Sequence, residues 1–110
     1  MRRVLIGLAL LIGAGVSPAA AQDAVAKGEA VFVAQKCGLC HSVAGKGNPK
    51  GPMEEAVSKL STADLRLWIT DAKGMTAKTK AERKPAMKEF TLPKEDVDAL
   101  VAYLTSIKKK

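Results

Sequence analysis

Both cysteines and the only histidine of this 110-residue chain fall inside one pentapeptide, Cys37-Gly38-Leu39-Cys40-His41. Whatever the chain folds into must bring its whole complement of thiol and imidazole to that one turn. The spacing narrows what the turn can do. A structural zinc site takes four ligands, and these three side chains leave it one short. A dithiol redox motif sits in a βαβ setting, yet no run between turn signals alternates apolar and polar residues as a strand does. A Cys37–Cys40 disulfide closes too short a loop to staple much.

The chemistry that this spacing serves best is covalent attachment of haem. Two thiols three residues apart can each add to one vinyl group. The next residue then holds an imidazole against the iron as the proximal ligand. Such attachment takes place outside the cytoplasm, and the N-terminus agrees. Met1-Arg2-Arg3 is basic, Val4 to Val16 is apolar or glycine throughout, and Ser17-Pro18-Ala19-Ala20-Ala21 offers small residues to a peptidase. These are the three regions of a secretory signal. The apolar run is shorter than the ~20 residues of a spanning helix. The expected organisation is therefore a signal peptide over 1–21 and one domain over 22–110, released to the periplasm with no membrane span after cleavage.

Helix signals dominate the domain. Asp23 can cap a helix from about Ala24 to Lys36. Ser61 and Asp64 form a capping pattern before Leu65, Trp68, Ile69 and Ala72, with Gly74 as a stop. Met53 to Lys59 reads as a short helix. The last helix starts near Pro93, places Glu95 and Asp96 at the positive end of its dipole, and carries an apolar stripe of Val97, Leu100, Val101, Leu104 and Ile107. Lys108 to Lys110 close its other end. The stretch from Gly74 to Phe90 has no strong pattern beyond a turn of helix over Thr79 to Lys84. A loop that long in a compact domain usually has a job. Three or four short helices with aromatics at only 4% of the chain bury little by themselves. Haem supplies the missing apolar mass, and the haem-free chain is expected to be partly unfolded.

In Cys37 to His41, in Gly28 and Phe32 on the first helix, in Leu100 and Tyr103 on the last, and in the segment Leu65-Arg66-Leu67-Trp68-Ile69, the chain resembles the small single-haem class I cytochromes c over essentially all of residues 22–110. The resemblance implies an all-α fold of three to five short helices around one covalent haem c. Its N- and C-terminal helices cross, with Gly28 and Phe32 packed on Leu100 and Tyr103. It implies a second axial ligand on the opposite haem face. His41 is the only histidine, so that ligand is a methionine, and the candidates are Met53, Met75 and Met87. The family places its methionine in the loop before the last helix, which assigns Met87. Met75 is the alternative, and Met53 reads as core filling. The resemblance also offers the Pro52 carbonyl as acceptor for the second His41 ring nitrogen. It offers the Trp68 indole as donor to a haem propionate, beside plain burial of the ring.

The charge is uneven. From Lys73 to Lys88 the chain carries Lys73, Lys78, Lys80, Arg83, Lys84 and Lys88 against Glu82, a net +5. The rest of residues 22–110 balances to zero. Such a stretch is either a solvated loop or a positive collar that steers acidic redox partner proteins. Nucleic acid is a poor fit, because no aromatic residue interleaves with the charges. No nucleophile with its base and no acid–base carboxylate pair is evident, so the expected function is not catalysis. It is one-electron transfer by a soluble, monomeric carrier. Two alternatives stand beside it: a haem-bearing subunit of a larger oxidoreductase, and a gas-sensing or peroxidatic protein with a displaceable sixth ligand.

Overall fold

The computed structural model describes residues 18–108. Residues 1–17, which hold most of the expected export signal, and Lys109 and Lys110 lie outside the described residues. The described chain is helical as expected, with five α-helices and one small hairpin. They are α1 (Pro18–Ala34), α2 (Met53–Ser58), α3 (Thr62–Thr70), α4 (Ala72–Thr79) and α5 (Lys94–Ser106). Between α1 and α2 lie a single 3-10 turn, Cys37–Leu39, and the two-residue strands β1 (Ser42–Val43) and β2 (Lys46–Gly47).

The first helix departs from expectation at both ends. It runs through Asp23 instead of being capped by it, and stops at Ala34 rather than Lys36. Ala19, Ala20 and Ala21 have the highest helix propensity of any residue, and Pro18 suits a first turn, so the helix extends upstream. At the other end Lys36 adopts a left-handed conformation, φ 58°, which turns the chain into the cysteine motif. The hairpin was not expected. It pairs Ser42 with Gly47 and Val43 with Lys46. Its turn uses Ala44 at φ 51° and Gly45 at φ 78°, the pair of positive φ angles that a two-residue hairpin needs.

The cap of α3 forms as read: the Ser61 hydroxyl accepts from the Asp64 N–H at 3.1 Å. Gly74, however, is no stop. The break comes earlier, at Asp71, whose carboxylate accepts from the Gly74 N–H at 3.2 Å and so starts α4 through the glycine. Left-handed Lys80, φ 55°, ends α4. Thr79 to Lys84 therefore makes no further helical turn, and residues 81–93 run as irregular chain. In α5 the Pro93 cap is as expected. The helix ends at Ser106, with Ile107 as its cap and no basic residue in its last turn.

The core lies where α1 crosses α5, backed by α2 and α3. Val31 and Phe32 meet Val97, Leu100, Val101, Tyr103 and Leu104, with Leu65, Ile69, Met53 and Val57 beneath. The Phe32 and Tyr103 rings meet edge to face, centroids 5.8 Å apart. Gly28 makes the crossing close. A Cβ there would collide with the Ala99 carbonyl oxygen and lie 2.6 Å from the Tyr103 Cβ. The expected pairing of Gly28 and Phe32 with Leu100 and Tyr103 is therefore what the core shows.

Candidate haem site

The cysteine motif is a loop whose carbonyls are pinned from several directions. The Cys40 and His41 N–H groups both donate to the Cys37 carbonyl, at 3.2 and 3.0 Å. Asn48 does more. Its backbone N–H reaches the Gly38 and His41 carbonyls at 3.0 and 3.1 Å, and its side-chain amide reaches the Leu39 carbonyl at 3.1 Å. Gly47 packs against the same carbonyls at φ 107°, and a Cβ there would collide with the His41 carbonyl oxygen. The turn is thus held through its backbone carbonyls, and neither cysteine side chain is spent on a bond that holds it. Both cysteines carry free thiols and are half-buried, while Leu39 between them is 72% exposed.

His41 is half-buried, and its Nδ1 lies 3.3 Å from the Gly51 carbonyl oxygen. A carbonyl only accepts, so Nδ1 carries the proton and the lone pair sits on Nε2. This corrects the expected partner by one residue. The Pro52 carbonyl instead accepts from the Ala56 N–H at 3.4 Å. Pro52 caps α2, and a cap's carbonyl is taken by the first intrahelical bond. Burial pushes the His41 pKa below its ordinary value, the Gly51 bond opposes this, and the Arg83 charge adds to the fall. The balance favours the neutral imidazole, the form that coordinates metal. Burial pushes the Cys37 thiol pKa up, against its own backbone bond and the Lys88 charge, which pull it down.

The methionines separate clearly. Met53 is buried at the base of the core among Val57, Leu65 and Leu100, in keeping with its reading as core filling. Met75 is buried on α4. Met87 is half-buried on the irregular segment between α4 and α5. That segment lies alongside the motif. The Arg83 guanidinium donates to the Cys40 carbonyl, and the Lys88 charge acts on Cys37. Further on, the Phe90 N–H donates to the Ile69 carbonyl at 3.3 Å. Met87 thus lies between two anchors, one on the motif and one on α3. Trp68 is half-buried. The basic residues from Lys73 to Lys88 are all exposed.

The donor set fits an iron porphyrin. Two half-buried free thiols lie in one turn. A neutral imidazole is oriented by a backbone carbonyl. A thioether is carried on a segment tied beside them. Among the described residues no group of three or more metal-binding side chains competes for the iron, and no helix is long and apolar enough to cross a membrane. Sequence reading missed the parts played by Asn48, Gly51 and Arg83. Only the Gly47-Asn48-Pro49 run hinted at a pinned loop.

The comparisons agree with this geometry. The chain is 33% identical over 91 residues to Cytochrome c oxidase subunit 2 of Alkalihalophilus pseudofirmus, an alignment covering 74% of this chain and 25% of that protein. The chain thus spans about a quarter of the length of the curated relative it matches. No solved structure matches. The family model described as Cytochrome c matches residues 25–108, from within α1 to beyond the end of α5. The pinned C-x-x-C-H turn, the crossing helices and the segment bearing Met87 all lie inside that match, and the chain belongs to the cytochrome c family.

Proposed function

We propose that this chain is an exported, periplasmic one-electron carrier in which Cys37 and Cys40 bind haem covalently and His41 and Met87 are the axial ligands. The observation that carries the reading is the His41 ring, fixed through Nδ1 on the Gly51 carbonyl so that Nε2 keeps its lone pair. Haem bound there supplies a one-electron iron couple. The residues of the chain hold it. Gly51 sets the tautomer and tilt of the imidazole. The Met87 thioether raises the potential relative to a second nitrogen ligand. The apolar crossing of α1 and α5 keeps water from one side of the site. The Trp68 indole N–H is proposed to donate to a propionate. The exposed cations from Lys73 to Lys88 orient acidic partner proteins, an effect that fades with salt.

The test is the absorption spectrum of the purified haem protein. The ferric form of the wild type and of Met75→Ala shows a methionine–iron charge-transfer band, and Met87→Ala loses it. Loss in Met75→Ala with retention in Met87→Ala moves the ligand to α4. Ready binding of carbon monoxide by the untreated ferrous wild type refutes a permanently six-coordinate carrier. A second reading is favoured by the oxidase-subunit relative: the same chemistry performed while docked in a larger oxidoreductase. Co-purification with a fixed partner distinguishes it.

A further inference from the structure

Arg83 stands four residues before Met87 on the irregular segment, yet it bonds to the loop that carries the cysteine motif. Its guanidinium donates to the Cys40 carbonyl, 43 residues away in sequence. It also lies directly over Gly51, where a Cβ would collide with both the guanidinium and the Cys40 carbonyl oxygen. Gly51 is the residue that fixes the His41 ring. Together these groups line a surface cleft of about 270 Å³ that includes His41, Gly51, Pro52, Glu55 and Arg83. The other basic residues of the segment make no such connection to the motif: Lys84, next in sequence, is simply exposed.

We propose that Arg83 is a clasp, a positioning residue that ties the loop carrying Met87 to the loop carrying His41, so that the thioether stays on the iron. A charged donor on a backbone carbonyl is among the stronger hydrogen bonds. The planar guanidinium can hold Cys40 while covering Gly51, which a lysine ammonium cannot reproduce. The absence of a side chain at Gly51 is what admits it. Without the clasp, the segment is held by backbone bonds only at its two ends, Ala81 to Thr76 and Phe90 to Ile69, and Met87 leaves the iron more often. The effect is on ligand retention rather than on the fold, because Arg83 is exposed and contributes nothing to the core.

This inference rests on the ligand set proposed above, and the two fail differently. The probe is imidazole, which binds ferric iron only when the methionine has left. Its affinity is measured by titration of the holoprotein, beside the urea midpoint of helix unfolding. Arg83→Gln is expected to bind imidazole about tenfold more tightly, the effect of losing one hydrogen bond from a charged donor at the lower end of its range, with the urea midpoint unchanged. Lys84→Gln, which removes the same charge from the same loop, is expected to match wild type. Arg83→Lys should fall nearer to the glutamine variant than to wild type. Equal affinities in Arg83→Gln and wild type, or in Arg83→Gln and Lys84→Gln, overturn the clasp. So does wild-type behaviour of Arg83→Lys, which assigns the effect to charge alone. A wild type without any methionine–iron band overturns the ligand assignment instead.

Discussion

Gly28 offers the sharpest test of how this fold closes, because two local effects oppose each other there. Replacing a helical glycine with alanine stabilises an isolated helix by about 1 kcal/mol. Here the new methyl would collide with the Ala99 carbonyl oxygen and lie 2.6 Å from the Tyr103 Cβ. Carbon atoms pack at about 3.5–4.0 Å, so α1 and α5 must part by roughly 1 Å. The obstacle is backbone, which cannot swing aside as a side chain can. A gap of that size forfeits a quarter to a half of each contact around it, including the edge-to-face pair of Phe32 and Tyr103. Overpacking costs about 1–3 kcal/mol, and this case belongs at the upper end. Against the helix gain, the net loss is about 2 kcal/mol. Urea unfolding of the holoprotein, followed by far-UV circular dichroism, should show a midpoint lower by about 1–2 M, given a slope of about 1–2 kcal/mol/M. Ala30→Gly, on the exposed side of the same helix, loses only the intrinsic term, about 1 kcal/mol. If Gly28→Ala proves as stable as wild type, or more so, helix propensity has won and the close crossing is not what glycine provides.

Two further outcomes follow from the core and from the charges. Met53→Ala empties a buried site and should cost about 3 kcal/mol in urea unfolding, while leaving the ferric methionine–iron band in place; loss of that band would mean that Met53 is the ligand. Asp98 accepts from Arg66 at 2.6 Å across α3 and α5, and this bond holds its carboxyl below the ordinary value, with Lys94 adding to the shift. A carboxyl depressed in the folded state stabilises the fold above its unfolded pKa, about 3.9, and loses that contribution as the pH falls through the lower folded value. Asp98→Asn should therefore be less stable near neutrality and show a shallower loss of stability below about pH 4, measured as urea midpoint against pH.

The parts of the fold legible in the sequence are those governed by neighbours a few residues apart. The Ser61–Asp64 cap and the Pro93 start of α5 are short-range hydrogen-bond and dihedral rules, and both hold. The apolar stripe of α5 is a period, and Val97, Leu100, Val101 and Leu104 are buried as it requires. The errors arise where one local signal competes with another. Gly74 reads as a stop, but Asp71 needs an N–H three residues on, and glycine supplies it without a side chain in the way. Asp23 reads as a cap, but three preceding alanines carry the helix past it. The site divides in the same manner. The thiols and imidazole are visible because they are side chains of rare types. The acceptor for His41 is a backbone carbonyl, a group every residue owns, so its assignment to Gly51 rather than Pro52 depends on which carbonyl α2 has already claimed. Arg83 was read as one cation among six, and only its contact across 43 residues sets it apart.

That contact bears on why the loop can be so basic. Six cations and one acid within sixteen residues repel one another, and residues 81–93 have no helix or strand to resist that repulsion. Left to itself, such a segment extends and hydrates. The sequence sets three ties against it. Arg83 spends its charge on the Cys40 carbonyl, Lys88 lies 5.1 Å over the Phe90 ring, and the Phe90 N–H reaches the Ile69 carbonyl. The first turns a member of the repelling set into an attachment and the second gives another an aromatic partner, so only part of the excess faces solvent without a partner. In the proposed carrier, the same segment must show a positive face to an acidic partner and keep Met87 still. Those demands conflict if every cation is free. They are compatible once Arg83 is anchored on the motif and Lys84, with the outlying Lys73, Lys78 and Lys80, is left to solvent.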